Sequence, residues 1–111
     1  MRIPNSDKAI IDTKKLDQYL LSFSHPIGRY KAEIFQNIGY SLEDVDIFKR
    51  ELEDIVRNND VTDVTETDFG KKYIIPAVLG IIKKIPVITV WIIKSGESAP
   101  RFITAYPDRR K

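Results

Sequence analysis

The stretch VWIIKSGESAPRFITAYP (90–107) decides the fold. Two runs rich in β-branched and aromatic residues flank SGESAP, whose serine, glycine and proline favour a turn. The stretch therefore reads as an antiparallel hairpin. Pairing Lys94 with Arg101 sets Ile93 against Phe102, Ile92 against Ile103, Trp91 against Thr104, Val90 against Ala105 and Thr89 against Tyr106. Side chains alternate between the two faces of a sheet. In this register Val90, Ile92, Ile103 and Ala105 form a plain core face. Thr89, Trp91, Thr104 and Tyr106 form a polar–aromatic face, with Ile93 and Phe102 near the loop. A slip of one residue would exchange the faces.

Upstream, IPVITVWIIK, GKKYIIPAVLGII and VTDVTETDF carry strand character between Gly, Pro and Asp breaks. The connections are short, which favours an antiparallel meander of three to four strands. A turn at Lys83–Lys84 would pair Ile74 with Ile93 and put Lys72 on the Trp91/Thr104 face. Pro76 cannot donate a ladder hydrogen bond, so it marks an edge or a bulge.

The first sixty residues have a helical period instead. KAIID (8–12) suits an edge strand, and Asp12 or Thr13 can cap a helix with Leu16, Tyr19 and Leu20 on one face. A second helix is expected from about Gly28 to Ile38, with Tyr30, Ile34 and Ile38 aligned and Gly39 ending it. Ser41 and Asp44 form the capping pattern of a third, with Tyr40 and Val45 as a hydrophobic staple. Its core face is Val45, Phe48, Leu52 and Ile55, and RNND ends it. Helices first and strands afterwards indicate an α+β fold, with about three N-terminal helices on one face of the sheet. The 111 residues suit one domain, mainly helical over 1–60 and mainly strand over 61–111.

Composition removes several chemistries. There is no cysteine and one histidine, which excludes disulfides, thiolate nucleophiles and multi-histidine metal sites. No cofactor is expected. Apolar content of 42% and charged content of 31% are ordinary for a globular protein. No apolar run is long enough for a membrane span and the N-terminus lacks a signal-peptide core, so a cytoplasmic location is expected. Residues 1–60 hold 9 Lys+Arg against 11 Asp+Glu, and residues 61–111 hold 9 against 5. The C-terminal half is thus where a polyanion would dock, unless the asymmetry is scatter on a solvated surface.

The histidine, His25, opens HPIGRYKAEIF (25–35). Pro26 biases it to an extended conformation at a helix start, near free backbone N–H groups. That setting favours neutral imidazole and attracts anions. Arg29 in the first turn is unfavourable without a bound anion, a local conflict of the kind found at functional sites. Lys31 is about 200° around the helix from Arg29, so the two converge on one ligand only by side-chain reach. A lone histidine at a helix start also serves structure, and cross-strand Thr–aromatic pairs also serve a sheet. The functional alternative is acid–base chemistry on a phosphodiester, with cations stabilising the charged transition state. No carboxylate pair placed for hydrolysis, Gly-rich phosphate loop or nucleophile elbow is present.

The blocks HPIGRYKAEIF, FGKKY and VWIIKSGESAPRFITAYP, with the IPN…KA start, resemble an uncharacterised bacterial domain family. Its members occur as small standalone proteins and as C-terminal domains of bacterial toxins. More distantly, the order of elements and the TAYP ending are similar to the barnase–EndoU–colicin–RelE group of metal-independent ribonuclease toxins. That resemblance implies His25, Arg29, Lys72, Thr104 and Tyr106 as catalytic residues, and Lys31, Trp91 and Arg101 as substrate-binding ones. It implies an RNA substrate and a cognate antitoxin or immunity protein as partner. Pro76, after GKKY, departs from the group's strand pattern. The competing expectation is a non-catalytic module that binds a protein or a nucleic acid.

Overall fold

The computed structural model describes residues 1–16 and 33–108. Among these residues four antiparallel strands follow one another in space as in sequence: β1 (Asp63–Thr67), β2 (Gly70–Leu79), β3 (Ile85–Lys94) and β4 (Arg101–Pro107). The helical pieces are α1 (Thr13–Lys15), α2 (described over 33–37) and α3 (Val45–Asn58). They pack on one sheet face, where Leu16, Phe35, Phe48 and Leu52 meet Tyr73, Ile75, Trp91 and Phe102 in one core. This is the expected α+β arrangement.

The helical signals behave as their chemistry requires. Asp12 caps α1, its side chain accepting from the Lys14 N–H at 3.0 Å. Tyr19, Leu20, Gly28 and Tyr30 lie outside the described residues. At the end of α2 the Tyr40 N–H donates to the Phe35 carbonyl and the Gly39 N–H to the Gln36 carbonyl, both at 3.0 Å. This is the Schellman pattern, and Gly39 supplies the left-handed φ of 117° it needs. Phe35 and Tyr40, either side of the stop, meet edge to face with ring centroids 6.4 Å apart. Ser41 and Asp44 form the expected capping box, which leads through a short 3-10 turn (Leu42–Asp44) into α3. Phe48, Leu52, Ile55 and Val56 are its buried residues.

The β2–β3 loop is tied to these helices. The Ile38 carbonyl accepts from the Ile81 N–H at 2.8 Å and the Ile82 N–H at 3.0 Å. The buried Tyr40 hydroxyl donates to the Glu51 carboxylate and accepts the Gly80 N–H at 3.1 Å. Because the loop spans Gly80 to Lys84, rather than a two-residue turn, Ile74 pairs with Val90 and not with Ile93. Pro76 lies past the end of β1, whose last partner on β2 is Ile74, so the missing N–H faces no strand. The Pro76 carbonyl accepts from Asn59 Nδ2 at 3.2 Å. KAIID does pair at an edge: Ile10 bridges Arg101 in parallel, accepting the Phe102 N–H and donating to the Pro100 carbonyl.

The β3–β4 register corrects the expected one. Val90 pairs with Thr104 and Trp91 with Phe102, leaving Ile103 as an extra residue in a bulge. Below the bulge the strands slip by one residue from the sequence-based pairing, and the faces change over. Thr89, Trp91, Phe102 and Ala105 face the helices and are buried. Thr104 and Tyr106 point the other way, with Val90 and Ile92. Trp91 is fully buried, its indole N–H donating to Thr89 Oγ1 at 2.9 Å, and Thr89 Oγ1 donating to the Ile75 carbonyl at 2.7 Å. A polar residue and an amphipathic aromatic thus enter the core because each satisfies the other.

Two stability predictions follow from these buried groups. Tyr40→Phe removes the hydroxyl and leaves the Gly80 N–H and part of Glu51 unpaired, so unfolding free energy should fall by about 1–3 kcal/mol in urea titrations. Burial, with the hydrogen bond and charge of Glu51, pushes the Tyr40 phenol well above its ordinary value. Once the pH passes about 10, an unfolded tyrosine ionises while the buried one keeps its proton. The unfolded state then binds fewer protons and stability falls. Tyr40→Phe should flatten that alkaline loss relative to the wild type. Separately, Thr89→Val should cost about 1–3 kcal/mol by orphaning the indole N–H. The single tryptophan should emit at short wavelength and resist acrylamide quenching in the wild type.

Candidate functional site on the outer sheet face

The sheet face opposite the described helices is built in rows. Lys72, Ile92 and Arg101 share one row across β2, β3 and β4. Ile74, Val90 and Thr104 form the next, and Pro76, Ile88 and Tyr106 the third. Adjacent strands lie about 4.8 Å apart and alternate residues about 6.7 Å apart. The Cα atoms of Lys72 and Arg101 are therefore separated by roughly 10 Å, with Thr104 one row away. Lys94, at the end of β3, has the same parity and extends this face toward the β3–β4 loop.

The bulge at Ile103 brings this set together. Arg101 and Thr104 are three residues apart and would sit on opposite faces of a regular strand. The inserted residue puts Arg101, Thr104 and Tyr106 all outward while Phe102 and Ala105 both remain in the core. Ile88 and Val90, only 5% and 4% exposed, lie on this outer face apart from the main core. The cations, the hydroxyl and the phenol thus stand around an apolar patch that is itself covered at Ile88 and Val90.

The charges are not equivalent. Lys72 is exposed and makes no ion pair among the described residues. Arg101 is held by Glu97 through two contacts, Nε to Oε1 at 2.9 Å and Nη2 to Oε2 at 3.4 Å. That hydrogen bond and the guanidinium charge keep the Glu97 carboxyl below its ordinary range, with Lys94 adding to the effect. Tyr106 is partly exposed, at 39%.

Of the residues expected to act together, Lys72, Arg101, Thr104 and Tyr106 share this face. Trp91 does not. The expectation that it shares a face with Thr104 and Tyr106 and contacts substrate there is overturned by its burial on the helical side. His25, Arg29 and Lys31 lie outside the described residues. Sequence spacing also gave no reason to group Lys15 with Lys94 and Arg101. The three line one hollow because the parallel bridge at Ile10 carries the start of α1 to the edge of β4.

A second groove has a different character. About 770 Å³ in volume, it runs between α3 and the unpaired end of β2, lined by Glu51, Asp54, Asn58, Asn59, Val78 and Lys84 among others. Two carboxylates against one lysine make it a poor receptor for a polyanion. Among the described residues no helix is long and apolar enough to cross a membrane.

Comparison with known proteins bears on the fold and the family. A chain of the contact-dependent growth inhibition toxin–immunity protein complex from Klebsiella pneumoniae 342 superposes with a TM-score of 0.70. The match covers 89% of this chain and 99% of that one at 16% identity, a likeness of fold. No curated protein matches the sequence. The family profile described as a domain of unknown function, DUF6883, matches residues 2–109, so helices and sheet together fall within it and the chain belongs to that family.

Proposed function

We propose that this chain is a metal-independent endoribonuclease-like toxin domain of a bacterial toxin–antitoxin or polymorphic-toxin system. The observation that carries the reading is the gathering of Lys72, Arg101, Thr104 and Tyr106 on the sheet face opposite the described helices. The fold shared with a chain of a toxin–immunity complex supports it. RNA is the substrate class because its 2′-hydroxyl supplies the nucleophile, and the protein has only to move protons and stabilise charge.

In this reading His25 takes the 2′-hydroxyl proton. The 2′-oxygen attacks the adjacent phosphorus and the 5′-oxygen departs with a proton, leaving a 2′,3′-cyclic phosphate. Lys72 and Arg101 offset the extra negative charge on the phosphoryl oxygens, with Arg29 as a third cation from the histidine motif. Thr104 and Tyr106 donate hydrogen bonds that position the phosphate, and Lys31 contacts the strand nearby. Trp91 stays in the core. The cognate partner is an immunity or antitoxin protein with an acidic surface, complementary to Lys72, Lys94 and Arg101. Both meet in the cytoplasm.

A non-catalytic binding module is the alternative, and one observation favours it. β1 (DVTET) is wholly exposed and pairs with no second strand among the described residues, so its edge could take a partner strand. Its Asp63 and Glu66 are the sort of charges that blunt such an edge.

Incubating the chain with labelled single-stranded RNA in the presence of a chelator separates the two readings. Cleavage with a cyclic-phosphate end is expected. His25→Ala should lower its rate by about 10²–10⁴-fold, the usual contribution of a positioned acid–base group. Lys72→Ala should lower kcat more than it raises KM. Cleavage undiminished in His25→Ala would remove the mechanism, and no cleavage by the folded wild type would favour the binding module.

A further inference from the structure

At the Arg101 end of the row of Lys72, Ile92 and Arg101 lies a hollow of about 220 Å³, which the proposed reaction uses only through Arg101. It forms where the N-terminal segment pairs onto β4: Ile10 bridges Arg101 in parallel, and α1 begins directly after it. Its walls carry Lys15 from α1, Lys94 from β3 and Arg101 from β4, over a floor of Ile92 and Ile103. Cations from three separate elements thus converge on one concave, partly apolar site. Two carboxylates are close. Asp12, also in the wall, is engaged as the cap of α1, and Glu97 pairs with Arg101. Lys15 and Lys94 make no ion pair within 4.0 Å among the described residues.

The position of the hollow gives it a role. Alternate residues of a strand recur about every 6.7 Å, so Thr104, paired with Val90, stands one row from Ile92 and Arg101 at the hollow, and Tyr106 two rows from them. A volume of this size takes a phosphate with its sugar more readily than a whole nucleotide. The isoleucines give the sugar an apolar surface and the cations meet the phosphate.

We infer that the Lys15–Lys94–Arg101 hollow is a second phosphate-binding subsite, which holds the phosphate of a single-stranded RNA next to the one at the bond to be cut, with Arg101 between the two. The inference rests on the proposed ribonuclease reading. Glu97 occupies Arg101 while the site is empty and must yield that guanidinium to the incoming phosphate. Glu97 therefore opposes binding, whereas Lys15 and Lys94 promote it.

The test is fluorescence anisotropy with a labelled ten-nucleotide single strand, its 2′-hydroxyls replaced by hydrogen so that it cannot be cut, titrated over a range of salt. Lys15→Ala/Lys94→Ala should weaken binding and reduce the slope of log K against log salt by about 1.4, the loss of two single-strand phosphate contacts. Glu97→Gln should tighten binding several-fold. Lys94 and Glu97 are exposed and Lys15 half-buried, and circular dichroism should show both variants folded. A wild type that binds with strong salt dependence, alongside a double variant of unchanged slope, overturns the subsite and leaves the ribonuclease reading standing. A wild type with no salt-dependent binding of the strand overturns both.

Discussion

One inserted residue, Ile103, sets the relation between the two faces of the sheet. Without the bulge, strict alternation along RFITAYP would force a choice. Phe102 and Thr104 would face one way, and Arg101 and Ala105 the other. Either a hydroxyl would enter the core beside Trp91 or an arginine would. The bulge lets Phe102 pack edge to face on Trp91, with centroids 5.2 Å apart, and Ala105 sit across from Thr89. It also turns Arg101, Thr104 and Tyr106 outward together. Core packing and the candidate site are thus two consequences of the same local irregularity, as is common for bulges beside functional sites.

The helical layer depends on a second set of contacts, centred on Gly39 and Tyr40. A side chain at Gly39 would be strained at φ 117°, and its Cβ would come within 2.8 Å of Ile81 and of the Ile82 backbone. The same turn that ends α2 therefore allows the β2–β3 loop to approach the Ile38 carbonyl. Tyr40 then bridges Glu51 of α3 and the Gly80 backbone with a single hydroxyl. These contacts hold the helices to the far end of the sheet. At the near end, Asn5 Nδ2 donates to the Ser98 carbonyl and Ile10 pairs with β4, holding the N-terminal segment against the β3–β4 loop.

The architecture was legible because each helix signal is local. The Asp12 cap, the Gly39 stop and the Ser41–Asp44 box depend on neighbours within a turn, and each occurs where its residues stand. Strand register is not local. It depended on the length of the Gly80–Lys84 loop and on the bulge, neither of which leaves a distinct composition. The polar look of Thr89 and Trp91 misled for a related reason. A threonine and an indole suggest an exposed face, unless one supplies the other's hydrogen bond, and that is visible only once both are buried. Lys72, Arg101, Thr104 and Tyr106 reach the same face by a different register from the one their spacing suggested. The grouping of Lys15 with Lys94 depends on a parallel bridge between distant segments and had no sequence signal.

Charge placement links the fold to the proposed partners. Acidic residues line the groove between α3 and β2, while Lys72, Lys94 and Arg101 occupy the face that α3 does not cover. On the proposed reading, a polyanion approaching the molecule is repelled from the first surface and drawn to the second. An acidic immunity protein would be drawn to the same cations. RNA and inhibitor would then exclude each other by occupying one surface, and neutralisation would need no conformational change in this chain. Glu97 already satisfies Arg101 in the way such a partner's carboxylate would. A bidentate carboxylate on that guanidinium is therefore compatible with the folded sheet, and the partner has only to extend the pattern to Lys94 and Lys72.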